Sequence, residues 1–173
     1  MKFRHRFLGF ALTAALGLAA PETRAQAPDG NVTAADRATI AACIRESAEQ
    51  PRACIGAIAV TCARQTSGER RDTEIACTRR EAAVWRERLD FATSALSQRL
   101  ASASRSRFGA VQRSWEEYVA LRCAFTGEIE TPARAPVMQA GCELRAVAAR
   151  AIEIETIARR RMQPSQARPQ LQR

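Results

Sequence analysis

Six cysteines, Cys43, Cys54, Cys62, Cys77, Cys123 and Cys142, all lie downstream of a segment that reads as an export signal. An even number of thiols delivered to an oxidising compartment predicts disulfides, and with them a small stapled fold. The signal has a positive start at Lys2, Arg4 and Arg6, an apolar run from Leu8 to Ala20, and small residues at Thr23 and Ala25. A run of thirteen residues is too short to span a bilayer, which takes about 20. Cleavage after Ala25 is expected, since cutting after Ala27 would set Pro28 beside the scissile bond. The first cysteine stands 18 residues beyond Ala25, too far to take a lipid at the cleavage site, so the expected product is exported and soluble, periplasmic or secreted. Zinc is the rival use of clustered thiolates. The intervals of 10, 7, 14, 45 and 18 residues contain no CxxC and no histidine, which argues against a metal.

Cleavage also changes what the composition means. His5, the only histidine, leaves with the signal, so Ser-His-Asp, Cys-His and HExxH chemistries are excluded from the exported chain. The net charge of +9 falls to +6, because the first 25 residues carry four Lys/Arg and one acid, Glu22. Five of those six charges sit at Arg159, Arg160, Arg161, Arg168 and Arg173. A near-neutral body with a basic tail does not read as a nucleic-acid binder. No cofactor is implied. The expected organisation is a signal over 1–25, a flexible leader over 26–32, a helical domain over 33–158 and a basic disordered tail over 159–173.

Hydrophobic periodicity sets the fold class. Thr33 and Asp36 form a capping-box pattern that opens a helix through Ile40, Cys43 and Ile44 to about Ala48. Pro51 to Arg64 predicts a short helix or turn, and the polar stretch from Gln65 to Asp72 a connection. Ile75, Thr78, Ala82, Trp85, Leu89, Ala92, Leu96 and Leu100 then recur in steps of three and four, the stripe of a long amphipathic helix. Ser102 to Arg107 is expected to break it. Phe108, Val111, Trp115, Tyr118 and Val119 continue the period to about Phe125, and Gly127, Pro132 and Pro136 mark a loop. Leu144, Val147, Ala151, Ile154 and Ala158 resume it, fraying into Arg159 to Arg161. No segment alternates with strand period. The expected fold is all-α, a small disulfide-stapled helical bundle of about four helices.

Counting alone leaves the disulfide connectivity open. The antiparallel return of successive helices favours Cys123 with Cys142 and Cys43 with Cys77, leaving Cys54 with Cys62 to close the short segment between them. Each bridge is worth roughly 3 kcal/mol. That matters for a core with only Trp85, Phe91, Phe108, Trp115, Tyr118 and Phe125 as aromatics.

Two segments carry a family resemblance. Gln112, Trp115 and Tyr118 reproduce a Q-x-x-W-x-x-Y pattern followed by Cys123, and Cys142 with Arg150 matches a C-x7-R closing helix. Upstream stand Cys54-Ile55-Gly56, Cys62, and the run Cys77, Glu81, Trp85 and Leu89. In this order and spacing, over about Cys43 to Ile157, the chain resembles the LprI-like lysozyme inhibitor family of exported bacterial proteins. Members commonly place Arg-Asp after the tyrosine and Glu before the cysteine; here Val119, Ala120 and Arg122 occupy those positions, so a charge cluster is replaced by apolar residues and one reversed charge.

Each of these residues also has a structural explanation. Trp115 and Tyr118 are expected on the buried face of one helix. Gln112 is placed to bond a loop backbone, Glu81 and Arg150 to form an ion pair, and Arg159 to Arg161 to complement a helix C-terminus. Glu128 and Glu130, two apart on a loop, are expected to be solvated rather than a catalytic pair.

The resemblance implies inhibition of a peptidoglycan-cleaving lysozyme, without catalysis. The loop from Gly127 to Pro136, with Glu128, Glu130 and Arg134, is the candidate binding element, since a guanidinium pairs with the acidic residues of a muramidase cleft. A basic inhibitor gains no steering toward basic animal lysozymes, so an acidic lysozyme is the expected target. The alternative classes are an envelope scaffolding protein, with Val119 and Ala120 as an exposed patch and the basic tail touching anionic surfaces weakly, and a small helical muramidase using one glutamate.

Overall fold

The computed structural model describes residues 32–162, so the expected signal, most of the leader and residues 163–173 of the tail lie outside the described residues. Five α-helices and one 3-10 turn follow in order, with no strand among the described residues. They are α1 (Ala34–Glu46), the 3-10 turn (Pro51–Cys54), α2 (Ala59–Gln65), α3 (Arg70–Ser97), α4 (Ser102–Glu128) and α5 (Ala135–Met162). The chain is thus an all-α bundle, with α2 as a fifth, short helix. Three long helices carry the architecture. α3 and α5 share the largest interface, α4 packs along α5, α2 packs on α3, and α1 meets α3 and the 3-10 turn, which itself touches α5.

The start of α1 is fixed as its sequence suggests. Thr33 Oγ1 accepts from the Asp36 backbone N–H at 3.2 Å, and Asp36 accepts in return from the Thr33 N–H at 2.8 Å. Asp36 also receives a two-pronged bond from Arg80 of α3, at 2.9 Å on each oxygen. Burial alone would push this carboxyl up, but the Arg80 guanidinium and the two Thr33 donors together hold it below its ordinary value.

The core is aliphatic. Ile40, Val84, Leu89, Ala148, Ala151 and Ile154 are almost fully enclosed, and Leu144, Val147 and Ala158 complete the α5 stripe as its period predicts. Of the six aromatics among the described residues, only Trp85 is wholly buried. Phe108 and Trp115 pack against the core from its margin, while Phe91, Tyr118 and Phe125 face solvent. The buried face of α5 is rich in alanine, at Ala140, Ala146, Ala148, Ala151 and Ala158, while α3 supplies the larger Val84, Trp85, Leu89 and Leu96.

The disulfides differ from expectation at two of three positions. Cys123–Cys142 forms as expected, but the others are Cys43–Cys54 and Cys62–Cys77. Cys54 and Cys62 cannot close on each other because a turn at Gly56 (φ 102°) and the start of α2 separate them. Cys54 thus faces α1, and Cys62 faces the second turn of α3. Cys77 lies where α2 packs on α3 and pairs with Cys62, which leaves Cys43 of α1 to Cys54 of the 3-10 turn.

Two boundaries also move. Ser102 to Arg107 does not break a helix but forms the first turns of α4, and the break falls at residues 98–101. Arg105 accounts for it, donating back to the carbonyls of Ser97 and Leu100 at the end of α3. The expected Gly127 to Pro136 loop contracts to residues 129–134, because α4 continues through Gly127 and Glu128 while Pro136 sits in the first turn of α5. Arg159, Arg160 and Arg161 form the last turn of α5 and complement its dipole as expected, so the helix extends past the boundary placed at 158.

Candidate binding surface

The family-pattern residues gather into two clusters, both structural. In the first, the Glu81 carboxylate is completely buried and accepts four bonds. The backbone N–H groups of Gly56, Ile58 and Ala59 donate at 2.7, 3.0 and 2.8 Å, and the Trp85 indole N–H at 3.0 Å. Ile58, at the N-terminus of α2, has no capping side chain of its own, so Glu81 supplies the cap from another helix. Gly56 turns the backbone so that its N–H reaches the same carboxylate. The pattern Cys-Ile-Gly upstream and Glu-x3-Trp downstream is therefore one device. The expected ion pair between Glu81 and Arg150 is absent, because Glu81 is already fully engaged here.

Arg150 belongs to the second cluster. Its guanidinium donates to Gln112 Oε1 through Nε at 2.8 Å and through Nη2, and to Glu153 at 2.9 Å. Gln112 in turn donates to Thr93 Oγ1 at 3.2 Å, so it ties α3, α4 and α5 together rather than bonding a loop backbone. Arg150 and Arg86 both lie over the Trp115 ring, 5.6 and 5.8 Å from its centroid.

Tyr118 does not join Trp115 on a buried face. It is 58% exposed, because the edge of the packed surface of α4 passes between the two residues. Val119, which the period puts on the packed stripe and the scaffolding alternative would need on the surface, is buried with Cys123, Cys142 and Ala146. Ala120 is exposed as expected.

Larger grooves of about 580 and 590 Å³ lie beside α1 and α2, and two further accessible features lie at the α4–α5 end and along the outer side of α4. Residues 129–134 form a tight turn in which the Arg134 N–H donates to the Thr131 carbonyl, and Cys123–Cys142 staples the two helices beside it. Ile129 is 67% exposed at the tip. The Arg134 side chain is largely exposed and sits 3.5 Å from Glu130, which is half-buried. Glu128 stands in solvent on the last turn of α4. A groove of about 420 Å³ lies alongside, lined by Arg79, Glu128, Gln139 and Glu143. Glu128 and Glu130 thus have no shared enclosed site.

On α4, Val111, Tyr118, Leu121 and Phe125 all face outward. Sequence reading placed Val111 and Tyr118 in the core stripe. The seven-residue spacing of Val111, Tyr118 and Phe125 was the available signal of a second, separate face.

Among the described residues, no group of three or more His, Cys, Asp or Glu side chains is placed to hold a metal, and no helix is long and apolar enough to cross a membrane. A family model described as lysozyme inhibitor LprI matches residues 62–154. The match spans both structural clusters except the backbone donors of residues 56–59, and it takes in Cys62–Cys77 and Cys123–Cys142. Comparison with curated proteins and with solved structures gives no match.

Proposed function

Because the chain belongs to the lysozyme inhibitor LprI family, we propose that it is an exported protein that binds a peptidoglycan-cleaving muramidase and blocks it without catalysis. The family match over most of the helical domain carries this reading. The α4–α5 end is its binding element. The turn is short, fixed between two long helices and stapled by a disulfide, so it loses little conformational freedom on docking. Ile129 offers an apolar tip, and Arg134 a guanidinium for a cleft carboxylate. The exposed Arg134–Glu130 pair is worth at most about 1 kcal/mol, so exchanging Glu130 for a target carboxylate costs little.

Titration of the oxidised protein into lysozymes of differing charge, with peptidoglycan lysis as readout, tests this. Inhibition is expected to saturate near one equivalent, to favour an acidic lysozyme, and to weaken about tenfold in Arg134→Ala. Glu130→Gln, which frees the guanidinium, is expected to tighten it. Absence of inhibition at large excess across the panel contradicts the reading. A second reading, an envelope scaffolding protein, draws on the exposed apolar side of α4.

A further inference from the structure

The outer side of α4 is more apolar than a solvent-facing helix needs. Of the eight large hydrophobic residues exposed among the described residues, five, Val111, Tyr118, Leu121, Phe125 and Ile129, belong to α4 or its C-cap, and each is at least half exposed. Isolated exposed apolar residues are ordinary, but a contiguous row is not. α4 already has a separate packed face, formed by Gln112, Val119 and Cys123 with Trp115 at its margin. The outer row therefore serves no contact within the described chain.

Its spacing is that of a coiled-coil seam. Val111, Tyr118 and Phe125 recur every seven residues, and Leu121 follows Tyr118 by three, with the small Ser114 at the equivalent position one heptad earlier. On this frame Glu117 and Arg122 flank the seam five residues apart. That is the separation at which opposite flanks of two parallel helices meet. Both are exposed, and neither makes an ion pair among the described residues.

We propose that α4 is a self-association surface on which a second copy of this chain packs with its α4 parallel to the first. Tyr118, Leu121 and Phe125 then meet their own counterparts across a two-fold axis, and Glu117 of each copy faces Arg122 of the second copy. The pattern complements itself, which singles out a second copy as occupant. An anionic lipid surface is disfavoured by Glu117 on the flank and by Glu128, which stands one heptad after Leu121 and ends the apolar seam there. The exposed apolar side chains offer on the order of 500 Å² per copy. A standard interface uses about 800 Å² per partner, so the dimer is reversible rather than obligate. α4 is already folded against α5, so pairing does not bear the cost of forming the helix.

Sedimentation velocity of the oxidised protein in ~0.15 M salt, from about 1 µM to about 300 µM, tests this without reference to any lysozyme. A monomer–dimer transition within that range is expected, weakened at least tenfold by Tyr118→Glu or Leu121→Lys. Both residues are exposed, and unchanged helical circular dichroism confirms folding. Glu117→Arg alone is expected to weaken the dimer, and Glu117→Arg with Arg122→Glu to restore it. A monomer throughout, a dimer indifferent to Tyr118→Glu and Leu121→Lys, or charge reversal not rescued by the double variant overturns the proposal.

Discussion

The buried seam among α3, α4 and α5 and the outer face of α4 are built on opposite principles. In the seam, every family-pattern side chain except Tyr118 is held by partners: Glu81 by four donors, Gln112 by Thr93 and Arg150, and Trp115 beneath two guanidinium groups. On the outer face, large apolar residues stand in solvent with no partner among the described residues. The contrast teaches that the pattern defining the family specifies a scaffold. The surfaces proposed for this chain's interactions, the α4–α5 turn and the exposed row of α4, share only Tyr118 with that pattern.

Glu81→Ala breaks the contrast hardest. It leaves two buried backbone N–H groups, the part-buried Gly56 N–H and an indole N–H without their acceptor, and the expected loss is about 3 to 5 kcal/mol, read by urea unfolding. Tyr118→Ala, on the opposite face, is expected to change stability by less than about 0.5 kcal/mol in the same assay. Equal losses at the two positions would erase the distinction. Replacing both Cys123 and Cys142 by Ser removes a bridge of sequence separation 19 and is expected to cost about 3 kcal/mol. That loss should loosen the α4–α5 turn first, which hydrogen exchange resolves.

Gln112→Ala probes the second cluster more gently. It removes the acceptor of a mostly buried Arg150 guanidinium, with an expected loss of about 1.5 to 3 kcal/mol. Acid sensitivity sharpens the comparison last. Asp36 is more acidic in the folded chain than when unfolded, so its contribution is complete above the unfolded value and is lost as pH falls through the lower folded one. Denaturation midpoints at neutral pH and below about pH 4 should therefore differ less in Asp36→Asn than in the native chain.

Much of the fold was legible because it rests on local signals. The Thr33–Asp36 cap, the stripes of α3 and α5, and Arg159 to Arg161 at a helix end all depend on residues a few positions apart. Cys123–Cys142 followed from helices returning antiparallel. The other two bridges depended on how far α3 reaches toward its N-terminus and on the turn at Gly56, neither of which periodicity reports. Glu81 was recognised as significant, yet three of its four partners are backbone groups more than 20 residues upstream, and no side-chain pattern marks a backbone donor. Tyr118 misled for another reason. Three residues from Trp115 it is a helical neighbour, but the edge of the packed surface passes between them.

The most direct measurement is titration of the oxidised protein into an acidic lysozyme digesting peptidoglycan, run in parallel with Arg134→Ala and Tyr118→Glu. Saturable inhibition near one equivalent, weakened by Arg134→Ala and retained by Tyr118→Glu, is expected if the α4–α5 end engages the enzyme and the α4 face does not. Undiminished lysis at large excess, or inhibition that Arg134→Ala leaves intact and Tyr118→Glu abolishes, would contradict it.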